Sequence, residues 1–216
     1  MCVAGQELPA SFYGVPKSVI WRFIRPFMNG PGVRAVNGLR YHASRLRGRH
    51  RFRQTHAAFS FLFDYIPGWK RACGPGGFVQ YQSFIPTSHA SSVFREQLVL
   101  AQRSGLLPYI GVLKRHRADA FLMSPMVDGY SLAIELKVTP RNRAAVWALT
   151  RRFDALVVAA GGRFYFAKDS TLSAASLAQF MREERVRRFF ALKAAYDPEE
   201  RLQTDLYRRL FGGVRP

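Results

Sequence analysis

Two glutamines and two lysines are the side chains of this sequence best placed to do chemistry. Gln80 and Gln82 lie in the run GFVQYQSFI at 77–85. Period-two alternation there puts them on one strand face with Phe78 and Phe84, and puts Val79, Tyr81 and Ser83 on the other. Two amides on an otherwise apolar face each need a hydrogen-bond partner once buried. A polar ligand and another protein group are equally good candidates. Lys114 closes a second strand and Lys168 follows a fourth. A lysine at a strand end ordinarily reaches solvent, but two such ends converging on a pocket could hold an anionic or electron-rich ligand.

Other chemistry is not signalled. The sequence has no G-x-S-x-G elbow, H-E-x-x-H pair, P-loop or glycine-rich dinucleotide turn. His42, His50, His56, His89 and His116 show no metal-ligand spacing, so surface or internally satisfied histidines are expected, and no metal site. Cys2 and Cys73 suggest neither a disulfide framework nor a metal knuckle, which fits a reducing cytoplasm. No apolar run is long enough to span a membrane, and the first twenty residues lack signal-peptide order. The expectation is a soluble or at most peripheral protein.

The elements that must position these groups read as follows. After the strand at 77–85, a helix runs from about His89 to Arg103 and is closed by Gly105. Leu107–His116 is the next strand and Tyr130–Val138 the third. Thr139 and Pro140 read as N-cap and first residue of a helix whose buried face is Val146, Leu149, Phe153, Leu156, Val157 and Ala160, stopped by Gly161-Gly162. Arg163–Ala167 is a fourth strand. Strand, helix, strand, strand, helix, strand is the ferredoxin-like pattern, an α+β fold with an antiparallel sheet and helices on one face. The expected domain layout is a basic, proline-interrupted arm at 1–75, the cap-like sheet domain at 76–170 and a helical tail at 171–216, broken at Asp197-Pro198.

With 216 residues, 48% hydrophobic and 14% aromatic, the chain can bury a sizeable core. Its formal net charge is +19. The charge is uneven: no acid stands between Glu7 and Asp64, whereas Lys17, Arg22, Arg25, Arg34, Arg40, Arg45, Arg47, Arg49, Arg51 and Arg53 do. An anion-binding surface and acids carried on another domain account for this equally well. Helical pieces are expected at Lys17–Phe27 and Val33–Arg47. Val19, Phe23 and Phe27 recur at spacings of four, a stripe suited to docking on protein or, less often, to lying on a membrane surface.

Several separated runs resemble flavoproteins of the vanillyl-alcohol-oxidase type. They are FDYIPGW at 63–69, GPGGFVQYQSFIP at 74–86, GGRFYFAKDS at 161–170 and DPEERLQTDLYRRL at 197–210. The likeness is greatest to the branch acting on decaprenylphosphoryl-ribose, with sugar-lactone oxidases more distant. It covers about residues 60–210 and implies the C-terminal, substrate-side cap of an FAD-linked oxidase, without the N-terminal domain that holds most of the flavin. It further implies that Lys168 lies near the flavin and the reacting hydroxyl, that Tyr165 contacts the flavin, and that Gln82 and Lys114 bind substrate. Ser131 and Ala133 fall where the family has pocket-lining Asn and Cys, and a family tyrosine falls near Ser60.

The combined expectation is a cap domain that, joined to its flavin domain in cis or trans, serves oxidation of a sugar, polyol or sugar-lipid CH–OH group by hydride transfer to FAD. Lys168 would be the catalytic cation, and Gln80, Gln82, Lys114 and Ser131 would line the substrate pocket. The fragment alone is expected to be inactive. The runner-up is a non-catalytic binding module for RNA or acidic lipid, suggested by charge. Against RNA, the first and third strands lack the aromatic and basic signature of RNA-binding versions of the fold.

Overall fold

The computed structural model describes residues 10–12, 14–48, 56, 67–168 and 171–213. Ser60, most of the 63–69 run, and Asp169 and Ser170 lie outside them. The chain forms two compact units, Met1–Gly77 and Phe78–Pro216.

In the first unit, β1 (Ser11–Phe12) and β2 (Val15–Pro16) pair antiparallel across Gly14, whose φ of 82° suits only glycine at no cost. Helix α1 (Ile20–Ile24) is a single turn flanked by 3-10 turns at Lys17–Val19 and Arg25–Phe27. Pro26 cannot continue a longer helix. Asn29 then caps α2 (Gly30–Arg47), its side-chain oxygen accepting from the Gly32 N–H at 2.8 Å, with Pro31 in the first turn. The Val19, Phe23, Phe27 stripe does not turn inward. Phe23 and Phe27 are 64% and 51% exposed, and α2 adds exposed Leu39 and Leu46.

The second unit carries a four-stranded antiparallel sheet in the order β4-β5-β3-β6. Its strands are β3 (Phe78–Pro86), β4 (Gly111–His116), β5 (Gly129–Lys137) and β6 (Arg163–Phe164). Helix α3 (Thr87–Arg103) connects β3 to β4, and α4 (Arg143–Ala159) connects β5 to β6. That element order with that strand order is the ferredoxin-like fold. β5, the third strand of the motif, lies between the first and second.

Alternation decides what each face does. Val79, Tyr81 and Ile85 of β3 and Leu132, Ile134 and Leu136 of β5 join one core with Val93, Phe94, Val146, Leu149, Phe153 and Val157 of the two helices. Phe153, fully buried, is the largest contributor from α4; truncating a core Phe to Ala typically costs about 3–5 kcal/mol. Inside this layer Tyr81 Oη donates to Asp154 Oδ1 at 2.9 Å, and Ser176 Oγ donates to Asp154 Oδ2 at 3.2 Å. The tail folds as α5 (Ala174–Phe180), α6 (Glu183–Tyr196) and α7 (Asp205–Phe211). Leu177, Val186, Leu210 and Phe211 extend the same core.

Several element boundaries differ from the sequence expectation, four of them with a visible cause or consequence. The second strand of the motif begins at Gly111 rather than Leu107, although Tyr109 N and the Ile110 carbonyl already bond to Glu135. Helix α4 starts at Arg143 with Asn142 as N-cap, because Thr139 and Asn142 bond reciprocally and spend residues 139–142 on a preceding turn. The fourth strand stops at Phe164. Beyond the Tyr165 N–H to Gln82 carbonyl bond of 3.4 Å the backbone winds into a 3-10 turn at Phe166–Lys168. The tail is interrupted at Met181-Arg182 as well as after Tyr196.

Candidate functional site

The sheet face turned away from α3 and α4 collects the polar side chains. Register places Gln82 of β3 opposite Ala133 of β5, Phe84 opposite Ser131, and Lys114 of β4 opposite Ser131 on its other side. Directly opposed residues share a face, so Gln80, Gln82, Phe84, Lys114, His116, Ser131, Ala133 and Glu135 form one surface across three strands. Gly129 sets this register. A Cβ there would stand 2.0 Å from the Ile85 carbonyl oxygen, so no other residue lets β3 and β5 close at that end.

Two rows of contacts cross the surface. The polar row runs from β3 to β4. Gln82 Nε2 donates to Ser131 Oγ at 3.0 Å, and Ser131 Oγ lies 2.8 Å from His116 Nε2. With Ser131 accepting from Gln82, its own proton can go to His116, which then carries its hydrogen on Nδ1. Burial first, then the charges of Lys114 and Arg115, hold the His116 pKa below its ordinary value, which favours that neutral acceptor. The aromatic row lies beside it. The Phe84 ring packs 4.8 Å from the His116 ring and 6.2 Å from the Tyr165 ring, and Lys168 Nζ stands 5.9 Å from the Tyr165 ring centroid.

A second carboxamide pairing lies one step along β3. Gln80 Nε2 donates to Glu135 Oε1 at 2.9 Å, and Glu135 is buried. Both glutamines therefore have protein partners through Nε2. Lys168 is held below the ordinary lysine pKa by burial first and by the Lys114 charge second, with Glu135 opposing. Lys168 and Lys114, from opposite edges of the sheet, thus converge electrostatically on the same surface. Lys114 itself remains exposed.

All the residues singled out from sequence meet here: Gln80, Gln82, Lys114, Ser131, Tyr165 and Lys168. Two more were not singled out. On the same strand faces, His116 sits two residues from Lys114 and Glu135 four from Ser131, and period-two spacing was the signal. Chemically, the surface offers a half-buried ammonium beside an aromatic wall, and a neutral floor of amide, hydroxyl and imidazole. Among the described residues no cluster of ligating side chains could hold a metal ion, and no helix is long and apolar enough to cross a membrane.

No protein-family model matches the chain. Over 158 residues, 73% of this chain, it is 28% identical to the decaprenylphosphoryl-β-D-ribose oxidase of Mycolicibacterium smegmatis, and it spans 33% of that protein's length. This supports a relationship to an oxidase.

Proposed function

We propose that this chain is the substrate-side cap of an FAD-dependent oxidoreductase acting on a sugar, polyol or sugar-lipid CH–OH group, working with a flavin-binding domain in cis or trans. The observation that carries the reading is Lys168. Its partly desolvated ammonium lies against the Tyr165 ring at the edge of a polar, hydrogen-bonding floor, in a chain similar over most of its length to a sugar-lipid oxidase.

The fit to a flavin is partial, as expected of a cap. Tyr165 and Lys168 can border the edge of a planar ring system, but the segment after β6 has no glycine through Ser173, so it offers no pyrophosphate cradle of the usual kind. The bound flavin would accept the hydride from the carbinol carbon. Lys168 would lower the cost of negative charge developing beside it, an effect strengthened by its partial removal from water. Gln82 and Ser131, held by their mutual bond, would orient substrate hydroxyls. Lys114, at the exposed rim, would meet an anionic portion of the substrate. His116, kept neutral, would fix the direction of the Ser131 proton.

The purified chain should be colourless after desalting and should bind FAD weakly. Mixed with a flavin-binding domain of the mycolicibacterial type, it should support anaerobic bleaching of the flavin absorbance by a polyprenylphosphoryl-ribose or by simpler aldoses and polyols. Stoichiometric flavin retained by the chain alone, or an assembled complex whose flavin no CH–OH donor bleaches, would count against the reading.

A further inference from the structure

Where β6 begins, three guanidinium groups line one cleft. Arg163 opens β6, Arg182 is the N-cap of α6 and Arg185 lies in the first turn of α6. Together with Ser124 and Phe166 they line a narrow cleft of ≈ 40 Å³. Arg163 Nη1 donates to the carbonyls of Met126 at 3.2 Å and Ser124 at 3.4 Å, and Arg185 Nη1 donates to the Leu122 carbonyl at 3.4 Å. Neutral carbonyls fix the direction of these side chains without cancelling their charge.

Among the described residues no carboxylate forms an ion pair with any of the three. The acid nearest in effect, Asp119, already accepts from Ser124 Oγ at 2.8 Å and from the Phe121 N–H at 3.1 Å. Glu183 faces Arg187 at 3.8 Å on the exposed side of α6. Arg163 is half-buried, and burial first, then Arg185 and Arg182, depress its pKa. Arg185 is half-buried too while Arg182 is exposed, and like charges gathered where two of the three are partly desolvated are unfavourable unless something negative joins them. The cleft exceeds the space one water needs, and forked guanidinium donors match the oxygens of a tetrahedral anion.

We infer that the Arg163–Arg182–Arg185 cleft is a binding site for a phosphoryl group, independent of the oxidase reading and lined by residues other than those of the Lys168 surface. A phosphoryl dianion would accept from Arg182 and Arg185, which line the cleft, and would share the Arg163 charge. Phe166 also walls an apolar hollow of ≈ 550 Å³ with Met123, Phe189 and Leu192. The phosphoryl group could accordingly belong to a free phosphate ester or to the head of an apolar chain seated in that hollow.

The test uses the full chain at about 0.15 M salt, where exposed charges are largely screened. Isothermal titration with methyl phosphate and with dodecyl phosphate below its micelle concentration should show saturable binding. The Arg182→Ala/Arg185→Ala variant should bind both at least about tenfold more weakly, the loss expected for charge-assisted hydrogen bonds. The charge-matched Arg95→Ala/Arg103→Ala variant, altered on exposed α3 positions, should bind as the parent does. Melting in the absence of ligand should stay level or rise in the cleft variant, because repulsion is relieved, which separates lost binding from lost folding. Tighter binding of dodecyl than of methyl phosphate assigns the hollow to a chain, and equal binding assigns the cleft to free esters; both keep the site. Absence of saturable binding by the parent, or equal weakening in the two variants, overturns it.

Discussion

Asp154 offers the most quantitative check on this structure. It is buried between β3, α4 and α5, and burial raises its pKa from 3.8 to about 6 despite the opposing hydrogen bonds from Tyr81 and Ser176 and the Arg151 charge. The folded state therefore holds this proton more tightly than the unfolded chain does. Stability contributed by the protonated carboxyl is full below about pH 4 and is lost as pH rises toward and through about 6. The shift of about two units corresponds to about 3 kcal/mol, an upper figure for a group that can relax. Asp154→Asn removes the titration but keeps an oxygen to accept from Tyr81, while its amide can donate to Ser176. Urea unfolding of both proteins, followed by circular dichroism at steps from about pH 4 to 8, isolates the group in the difference between them. The variant should nearly match the parent at about pH 4 and exceed it by about 1–3 kcal/mol at about pH 8. A difference that stays flat across this range, or favours the parent at high pH, refutes the buried-carboxyl account.

Four further outcomes are expected. Tyr81→Phe leaves Asp154 Oδ1 without its donor and should cost about 1–3 kcal/mol, more at high pH than at low, in the same unfolding assay. Gly129→Ala drives a methyl into the Ile85 carbonyl and should lower stability by more than about 2 kcal/mol, with loss of amide protection along β3 and β5; a neutral effect would mean that the register described above is wrong. Lys168→Ala should leave the melting temperature nearly unchanged but slow flavin reduction at least about tenfold in an assembled oxidase. The basic arm, with Phe23, Phe27, Leu39 and Leu46 exposed, should sediment with anionic vesicles in a salt-sensitive way and ignore neutral ones; retention in the supernatant at low salt would exclude a membrane role.

Much of this architecture is legible in the sequence. Alternation in 78–85 separated the Tyr81 face from the Gln82 face, and Gly161-Gly162 marked where α4 ends and β6 begins. What stayed hidden depends on partners distant in sequence. The aromatic run RFYFA has strand propensity throughout, yet β6 pairs only where β3 lies beside it, and the chain turns away after Phe164. Thr139 is a good cap by type, but the reciprocal bond with Asn142 moves the helix start by three residues. Lys168 and Lys114 could be suspected one at a time, whereas their convergence needed the strand order. The significance of His116 and Glu135 lies in cross-strand neighbours, Ser131 and Gln80, that local sequence does not reveal.

The core face and the polar face of β3 and β5 interleave at every residue, and this limits how such a chain can change over evolutionary time. Substitution on the Gln80, Gln82, Ser131 and Ala133 positions can retune what the surface recognises while Tyr81, Ser83, Leu132 and Ile134 keep the helices docked. A single inserted or deleted codon within either strand would exchange the two sets, driving glutamines into the core and a tyrosine onto the surface. Lineages carrying this sheet should therefore diverge by replacement within β3 and β5 and by length only in the segments between strands, above all between His116 and Gly129.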